Sequence, residues 1–169
     1  SGVITPELGF MYNNGMNLAD PRPGNLNSIA PGKARGSNMV PTLVLKNNKP
    51  VIICGAPGGA VIVSAVFQSI LNTINYNMTP TEAVSAPRIH TESGKVFLEA
   101  RIRSDYKEKL AELGFDVVQE QFPYNPMMAR AQLIAIDEKT GELSGGSDPR
   151  GGGVVYKVSM KFFHLINYN

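Results

Sequence analysis

The chain has 169 residues, 43% hydrophobic and 18% charged, with a formal net charge of +2. This is the length and composition of one globular domain with a real core; no basic cluster points to nucleic acid and no like-charged block reads as a tail. The single Cys54 excludes an internal disulfide and any cysteine-rich metal site, no apolar run is expected to reach membrane-spanning length once Gln68, Asn72 and Asn75 are counted, and no signal peptide opens the chain.

Residues Ser1 to Pro6 start without a cap. Leu8 to Tyr12 reads as a strand ended by Asn13-Asn14-Gly15, because Asn and Gly tolerate left-handed backbone. Met16 to Pro41 holds prolines at 21, 23, 31 and 41 and glycines at 24, 32 and 36, which no regular helix or central strand accommodates. A loop this long is usually functional or disordered, and with so few apolar residues it must be held by polar contacts or by a partner surface.

Thr42–Lys46 and Pro50–Cys54 flank Asn47-Asn48-Lys49, a β-hairpin signal. The unbroken run Pro50-Val51-Ile52-Ile53-Cys54 reads as a fully buried strand, with Cys54 as a small core residue at its end. Ala60 to Ile74 has no Pro or Gly and is too long for an ordinary strand. Its polar residues Ser64, Gln68, Asn72 and Asn75 fall on one narrow helical stripe, so the helix is expected to be buried nearly all round. Thr79-Pro80-Thr81-Glu82 has the form of a capping box with Pro at the first helical position, opening a short helix that ends before Pro87. Lys95–Glu99 alternates as a strand, Ser104 is expected to cap a helix closed by Gly114, and Phe115–Val118 reads as another strand. Ala131–Ile136 and Glu142–Ser144 flank a second hairpin turn over residues 137–141, and Val154–Val158 is expected as a last strand. Residues 159–169 read as an extra strand or as a tail foreign to the domain.

Between the buried strand and the long helix lies Gly55-Ala56-Pro57-Gly58-Gly59. Glycines at such a turn let a ligand approach the backbone, and the first amides of the helix lack intrahelical acceptors. Two chemistries use that arrangement, a phosphate cradle and an oxyanion hole for acyl transfer. The phosphate cradle's usual Lys-Ser or Lys-Thr is missing, as is Gly-x-Gly-x-x-Gly. A tight packing turn without chemistry has the same pattern.

Six stretches, in register over about 150 residues, resemble the small subunit of the γ-glutamyltranspeptidase family. They are Asn13-Asn14-Gly15-Met16, Asn27-Ser28-Ile29-Ala30-Pro31-Gly32-Lys33, Met39-Val40-Pro41-Thr42, Gly55-Ala56-Pro57-Gly58-Gly59, Glu82-Ala83-Val84-Ser85-Ala86-Pro87-Arg88 and Ser147-Asp148-Pro149-Arg150. The resemblance implies an α+β fold, the αββα sandwich of N-terminal-nucleophile hydrolases, here incomplete because only the small-subunit part is present. It implies a precursor that cuts itself before a threonine, which then attacks a γ-glutamyl amide with its own α-amine as base. No cofactor or metal is implied. The implied partners are the large subunit, the N-terminal part of the small subunit, and a γ-glutamyl or related amide substrate.

By the same resemblance, Gly58 and Gly59 are the oxyanion-hole glycines. Ser37-Asn38 falls where the family holds the substrate α-carboxylate with a Ser-Ser pair, and Asn14-Gly15 lies at the turn leading to the α-amine site. Three departures stand out. Ser1 aligns downstream of the family's threonine, so the nucleophile is absent. Asn17 and Leu18 occupy the place of the usual acid, leaving Asp20 as the nearest carboxylate. The family's Lys-Arg-Pro is Lys33-Ala34-Arg35. Residues 1–158 thus read as an N-terminally truncated small-subunit domain, which alone is not expected to turn over substrate. A non-catalytic binding or structural domain derived from the same fold is the alternative. Ser1 as a literal N-terminal nucleophile is the lesser reading. His90 and His164, with no paired Asp or Ser at recognisable spacing, read as structural. Arg88 and Asp148-Pro149-Arg150 read as fold-holding ion pairs or turns, and Asp20 and Glu99 show no paired-carboxylate spacing.

Overall fold

The first hairpin is set by two asparagines in left-handed backbone, Asn47 (φ 51°) and Asn48 (φ 60°), a pairing that suits the right-handed twist of the strands it joins. It links β1 (Thr42–Lys46) to β2 (Lys49–Gly55). The computed structural model describes residues 2–158; the expectations for Ser1, His164 and the segment 159–169 lie outside the described residues. The chain divides into two units, one up to Asn38 and one from Met39 onward.

In the second unit, α1 (Ile62–Tyr76) and α2 (Pro80–Ser85) follow β2, then β3 (Ile89–Glu92), β4 (Lys95–Leu98), α3 (Ser104–Glu112), β5 (Asp116–Gln119), β6 (Gln132–Ile136) and β7 (Leu143–Ser147). One sheet has the order β1-β2-β6-β7, all neighbours antiparallel. The other has the order β3-β4-β5, and its parallel pair β4/β5 is joined through α3. The capping box of α2 forms as expected: Glu82 N–H donates to Thr79 Oγ1, and Thr79 N–H donates to Glu82 Oε2 at 2.8 Å. Ser104, by contrast, is the first residue of α3 rather than its cap. The four-residue strand β3 was hidden because His90-Thr91-Glu92 has no apolar run. Val154–Val158 has no strand partner among the described residues and is not a strand.

Alternation in the four-stranded sheet sends Ile52, Cys54 and Leu133 to one face, where they form the core with Ile62 and Val66 of α1 and Val84 of α2. Each such aliphatic side chain, fully buried, stabilises the fold by about 1.5–3 kcal/mol. Helix α2 comes so close to β7 that a Cβ on Gly146 would collide with the Pro80 carbonyl, so only glycine fits there. The opposite face carries the cross-strand row Leu43, Ile53, Ile134, which is exposed at 63%, 39% and 40%.

Helix α1 corrects the expectation of burial all round. Ile62, Ala65, Val66 and Ser69 face the core, while Val63, Phe67 and Ile74 are more than half exposed. Ser64, Gln68 and Asn72 of the polar stripe bond inward instead, while Asn75 is exposed. Gln68 clasps the backbone of Ile89, donating to its carbonyl at 2.8 Å and accepting from its N–H at 3.0 Å. Asn72 donates to the Ala83 carbonyl. His90, expected without a paired Ser, has its Nδ1 2.8 Å from Ser64 Oγ and stacks on Phe97. By length and composition alone, Gly59–Tyr76, with mean hydropathy 1.2 over 18 residues, is long and apolar enough to cross a membrane. That corrects the expectation that no run qualifies; one side of the same helix packs into the core through Ile62, Ala65, Val66 and Ser69.

In the first unit, the expected strand over Leu8–Tyr12 reduces to a single bridge between Ile4 and Met11. The long loop is held by polar contacts, as its composition required. Asp20 pairs with Arg22 and Asn25, Asn27 Nδ2 donates to the Leu18 carbonyl, and Ser28 Oγ to that of Asn25.

The exposed row on the sheet generates a prediction. Made alone, the chain is expected to self-associate and to bind a hydrophobic dye strongly, because contiguous apolar surface of this kind seeks cover. Replacing Ile53 and Ile134 by Thr should reduce dye binding severalfold. A monomeric wild-type chain that ignores the dye would contradict this.

Candidate active site

β2 ends at Gly55, and the chain turns through Pro57-Gly58-Gly59 into a short 3-10 turn (Gly59–Val61) that runs into α1. Gly58 (φ 151°) and Gly59 (φ 73°) both lie where a side chain is disfavoured. Residues 57–60 are exposed. The turn, loop and cap hydrogen bonds of the described residues do not use the amides of Gly58 and Gly59. The two glycines differ in their surroundings. A Cβ on Gly59 would meet nothing within 4 Å, whereas one on Gly58 would sit 2.6 Å from the Ala129 methyl. Gly58 is therefore needed for packing as well as for backbone shape.

Behind this loop lies a cluster of buried charges. Arg88, Glu99, Asp148 and Arg150 are all at most 5% exposed. Arg150 donates to Glu99 through Nε at 2.7 Å and Nη2 at 2.6 Å, and to Asp148 through Nη1 at 2.9 Å. Arg88 Nη2 lies 2.6 Å from Asp148 Oδ2, and Arg101 donates to Glu99 from the rim. Backbone groups complete the set: Ala131 N–H donates to Asp148, Asn125 N–H donates to Glu99, and the carbonyls of Val84 and Ala86 accept from the two buried arginines. Burial and the neighbouring Arg150 charge pull the Arg88 guanidinium below its ordinary value. Arg88 and the Asp148–Arg150 pair are fold-holding, as expected. Asp148 bridges the two buried arginines, and Glu99, which showed no carboxylate partner in the sequence, joins Arg150 to Arg101. No local pattern announces it, since Leu98-Glu99-Ala100 resembles any strand end.

Cys54, immediately before the loop, is 3% exposed and belongs to the core. Burial pushes its thiol up to about 11, which suits an inert packing residue.

The remaining candidates lie in the first unit. Asn14 is the N-cap of a short 3-10 helix (Gly15–Leu18), and Gly15 N–H donates to Asn13 Oδ1 at 2.8 Å. The Arg35 guanidinium lies so close over Gly15 that a Cβ there would meet it at 2.5 Å. The Asp20 carboxylate accepts from Arg22 Nε (2.9 Å), Arg22 Nη2 (2.7 Å) and Asn25 Nδ2 (2.8 Å). The bonds to Arg22 foremost hold it well below the usual carboxylate range. Ser37 and Asn38 close this unit. Asn14, Gly15 and Asp20 are thus grouped within one short segment, while Gly58 and Gly59 stand in the other unit with the ionic cluster behind them.

The Cys54 environment yields a pH prediction. A thiol at about 11 rather than 9.0 holds about a hundredfold less thiolate at pH 8, so native alkylation by iodoacetamide should be at least that much slower than in urea. Because the folded state favours the protonated thiol, this group's contribution to stability is complete below about pH 9 and declines as the pH rises towards 11. Rapid native labelling of Cys54 at pH 8 would contradict its place in the core.

Comparison with known proteins gives this geometry a family. The family model for gamma-glutamyltranspeptidase matches residues 1–158. The glutathione hydrolase proenzyme of Bacillus subtilis (strain 168) is 34% identical over 163 residues, covering 95% of this chain and 27% of that protein. The acylase ACY 1 proenzyme of Pseudomonas sp. (strain V22) is 34% identical over 157 residues, covering 93% and 27%. Among solved structures, a mutant gamma-glutamyltranspeptidase of Helicobacter pylori superposes with a TM-score of 0.79 at 35% identity, covering 89% of this chain and 87% of that one. A cephalosporin acylase from Bacillus halodurans superposes at 0.73 with 28% identity, covering 81% and 25%. The chain spans about a quarter of the length of the curated relatives it matches. Its sequence, its α+β architecture and its glycine turn agree on one assignment: the chain belongs to the gamma-glutamyltranspeptidase family, whose fold is that of the N-terminal-nucleophile hydrolases.

Proposed function

We propose that this chain is the oxyanion-hole part of an acyl-transferring amidohydrolase, acting with a large subunit and with an N-terminal small-subunit segment that supplies a nucleophilic threonine. The observation that carries the proposal is the Gly58–Gly59 turn: two exposed glycines at positive φ between β2 and α1, whose amides stand outside the turn, loop and cap bonds of the described residues. In the proposed reaction the threonine hydroxyl gives its proton to the α-amine and its oxygen attacks the amide carbonyl. The carbonyl oxygen becomes an oxyanion facing the two glycine amides. The C–N bond then breaks, the amine leaves with the proton, and water or a second amine takes the acyl group from the enzyme.

Residues 1–158 would form the domain that does this, with Ser37, Asn38, Asn14, Gly15 and Asp20 as its candidate substrate-binding residues. Two observations bear on which acyl group is used. Leu18 replaces the acid that the resemblance places at the amine site, and the Asp20 carboxylate is already occupied by Arg22 and Asn25. A substrate ammonium would then lack a charge-assisted bond worth about 1.5–3 kcal/mol. The relatives include proteins named acylase as well as glutathione hydrolase. The proposed substrate is therefore an amide whose acyl chain bears no free amine.

Two measurements on the full-length gene product test this. Gly59→Val should lower turnover by about 100- to 1,000-fold, the usual cost of one oxyanion donor; a Cβ there meets open space, and the strain of a side chain at φ 73° lowers the melting temperature without preventing folding. A large fall in melting temperature with normal activity in the folded fraction would return the loop to a packing role. Separately, a glutaryl anilide should be turned over faster than a γ-glutamyl anilide. Efficient γ-glutamyl turnover that is lost in Asp20→Ala would instead give Asp20 the amine site.

A further inference from the structure

The Gly58–Gly59 turn leans on a neighbour whose backbone is itself strained. Ala129 has φ 62° and ψ 175°, a region populated almost only by glycine, which persists in other residues only where the surroundings impose it. What imposes it here is visible. Arg88 Nη1 donates to the carbonyls of both Met128 (3.0 Å) and Ala129 (3.2 Å), turning the two towards one guanidinium. With the peptides held that way, Arg130 N–H is delivered to the Pro57 carbonyl at 3.2 Å. The Ala129 methyl is set at the α-carbon face of Gly58, where no Cβ would fit. Asp148 fixes both ends of this support, since its Oδ2 accepts from Arg88 and from Ala131 N–H (2.8 Å). Ala129 is fully buried and Arg88 is 2% exposed, so neither has access to a ligand of its own.

We infer that Arg88 is a positioning residue for the reaction: through the Met128–Ala129 carbonyls it holds the left-handed Ala129 turn, which in turn fixes the direction of the Gly58–Gly59 amides. This rests on the oxyanion reading above and adds to it the group that sets the amide direction. If the guanidinium lets go, Ala129 relaxes towards an ordinary extended conformation, because nothing else bonds both carbonyls among the described residues. The Pro57 hydrogen bond and the methyl support then loosen together. A misplacement of about 1 Å at a reacting group costs about 100-fold in rate.

The experiment uses the full-length gene product and two variants. Arg88→Lys keeps the charge beside Asp148 but has one ammonium where four acceptors need a planar fork. Ala129→Gly accepts φ 62° without strain, which offsets the loss of a buried methyl, and it removes the contact behind Gly58. The acylation rate and the substrate dissociation constant are measured separately by single-turnover kinetics. Both variants are expected to lose about 10- to 100-fold in acylation rate, with the dissociation constant changed by less than about threefold and Ala129→Gly melting close to the parent. A merely structural role would lower the melting temperature or the yield of Arg88→Lys and leave acylation in the folded enzyme intact, and that result overturns the inference. If Arg88→Lys fails to fold, Ala129→Gly decides: normal acylation overturns the inference, and slowed acylation at unchanged melting supports it. Gly59→Val separates the two levels. Normal acylation in Ala129→Gly beside a crippled Gly59→Val removes only the positioning role, whereas a normal Gly59→Val removes the oxyanion reading itself and the positioning role with it.

Discussion

The constraint on which the second unit depends is the buried set of charges Arg88, Glu99, Asp148 and Arg150. Taking such groups out of water costs several kcal/mol each, and the cost is offset only when every charge is paired and hydrogen-bonded. Here the pairing is nearly complete. Glu99 accepts from Arg150, Arg101 and Asn125, and Asp148 accepts from Arg88, Arg150 and Ala131. One donor, Arg88 Nε, is left over. A cluster of this kind adds less to net stability than an apolar core of equal volume would. Its effect is geometric, because the atoms it joins belong to the ends of α2, β4 and β7 and to the segment before β6. Those are the places where the four-stranded and three-stranded sheets must be kept in register.

That geometry explains how an ordinary strand-to-helix turn can hold two amides in a fixed direction. Glycine turns are flexible by nature, since glycine loses more conformational freedom on folding than any other residue. Preorganised donors stabilise a developing charge because they need no reorganisation when it forms. The two requirements conflict unless something outside the turn restrains it. Pro57 restrains one side through its fixed φ and through its bond from Arg130, and Ala129 restrains the other by contact with Gly58. In the proposed arrangement the loop borrows its rigidity from the ionic cluster. Open space beside Gly59 leaves the face on which a reacting carbonyl could be received.

Much of this was legible where the information is local. The Asn47–Asn48 hairpin, the Thr79–Glu82 capping box and the strand, glycine turn and helix around Gly58 all formed at or near their expected residues. The family was legible because six short motifs kept their order. What escaped was decided by partners far away in the chain. Periodicity separated the faces of α1 but could not say that Gln68, Asn72 and Ser64 of the polar stripe would turn inward to Ile89, Ala83 and His90 while Phe67 faced out. Glu99 gave no sign of its role because its partners Arg150 and Asn125 are 51 and 26 residues away. The left-handed Ala129 was equally hidden, because an alanine carries no mark of positive φ. Val154–Val158 has the composition of a strand but no described neighbour to pair with, and propensity alone does not make a ladder.

The uncovered surfaces complete the picture. The four-stranded sheet is finished on the helix side, where Ile52, Cys54, Leu133 and Val66 close a core, and only partly covered on the other, where Val155 lies against Gly145 and Leu43, Ile53 and Ile134 form an exposed apolar row. A sheet that is apolar on both faces belongs in the middle of a layered architecture rather than at its surface. Strand β2, which carries Ile53, is also the strand from whose end the glycine turn departs. In this chain, then, the surface that requires cover and the loop proposed to do chemistry spring from the same strand.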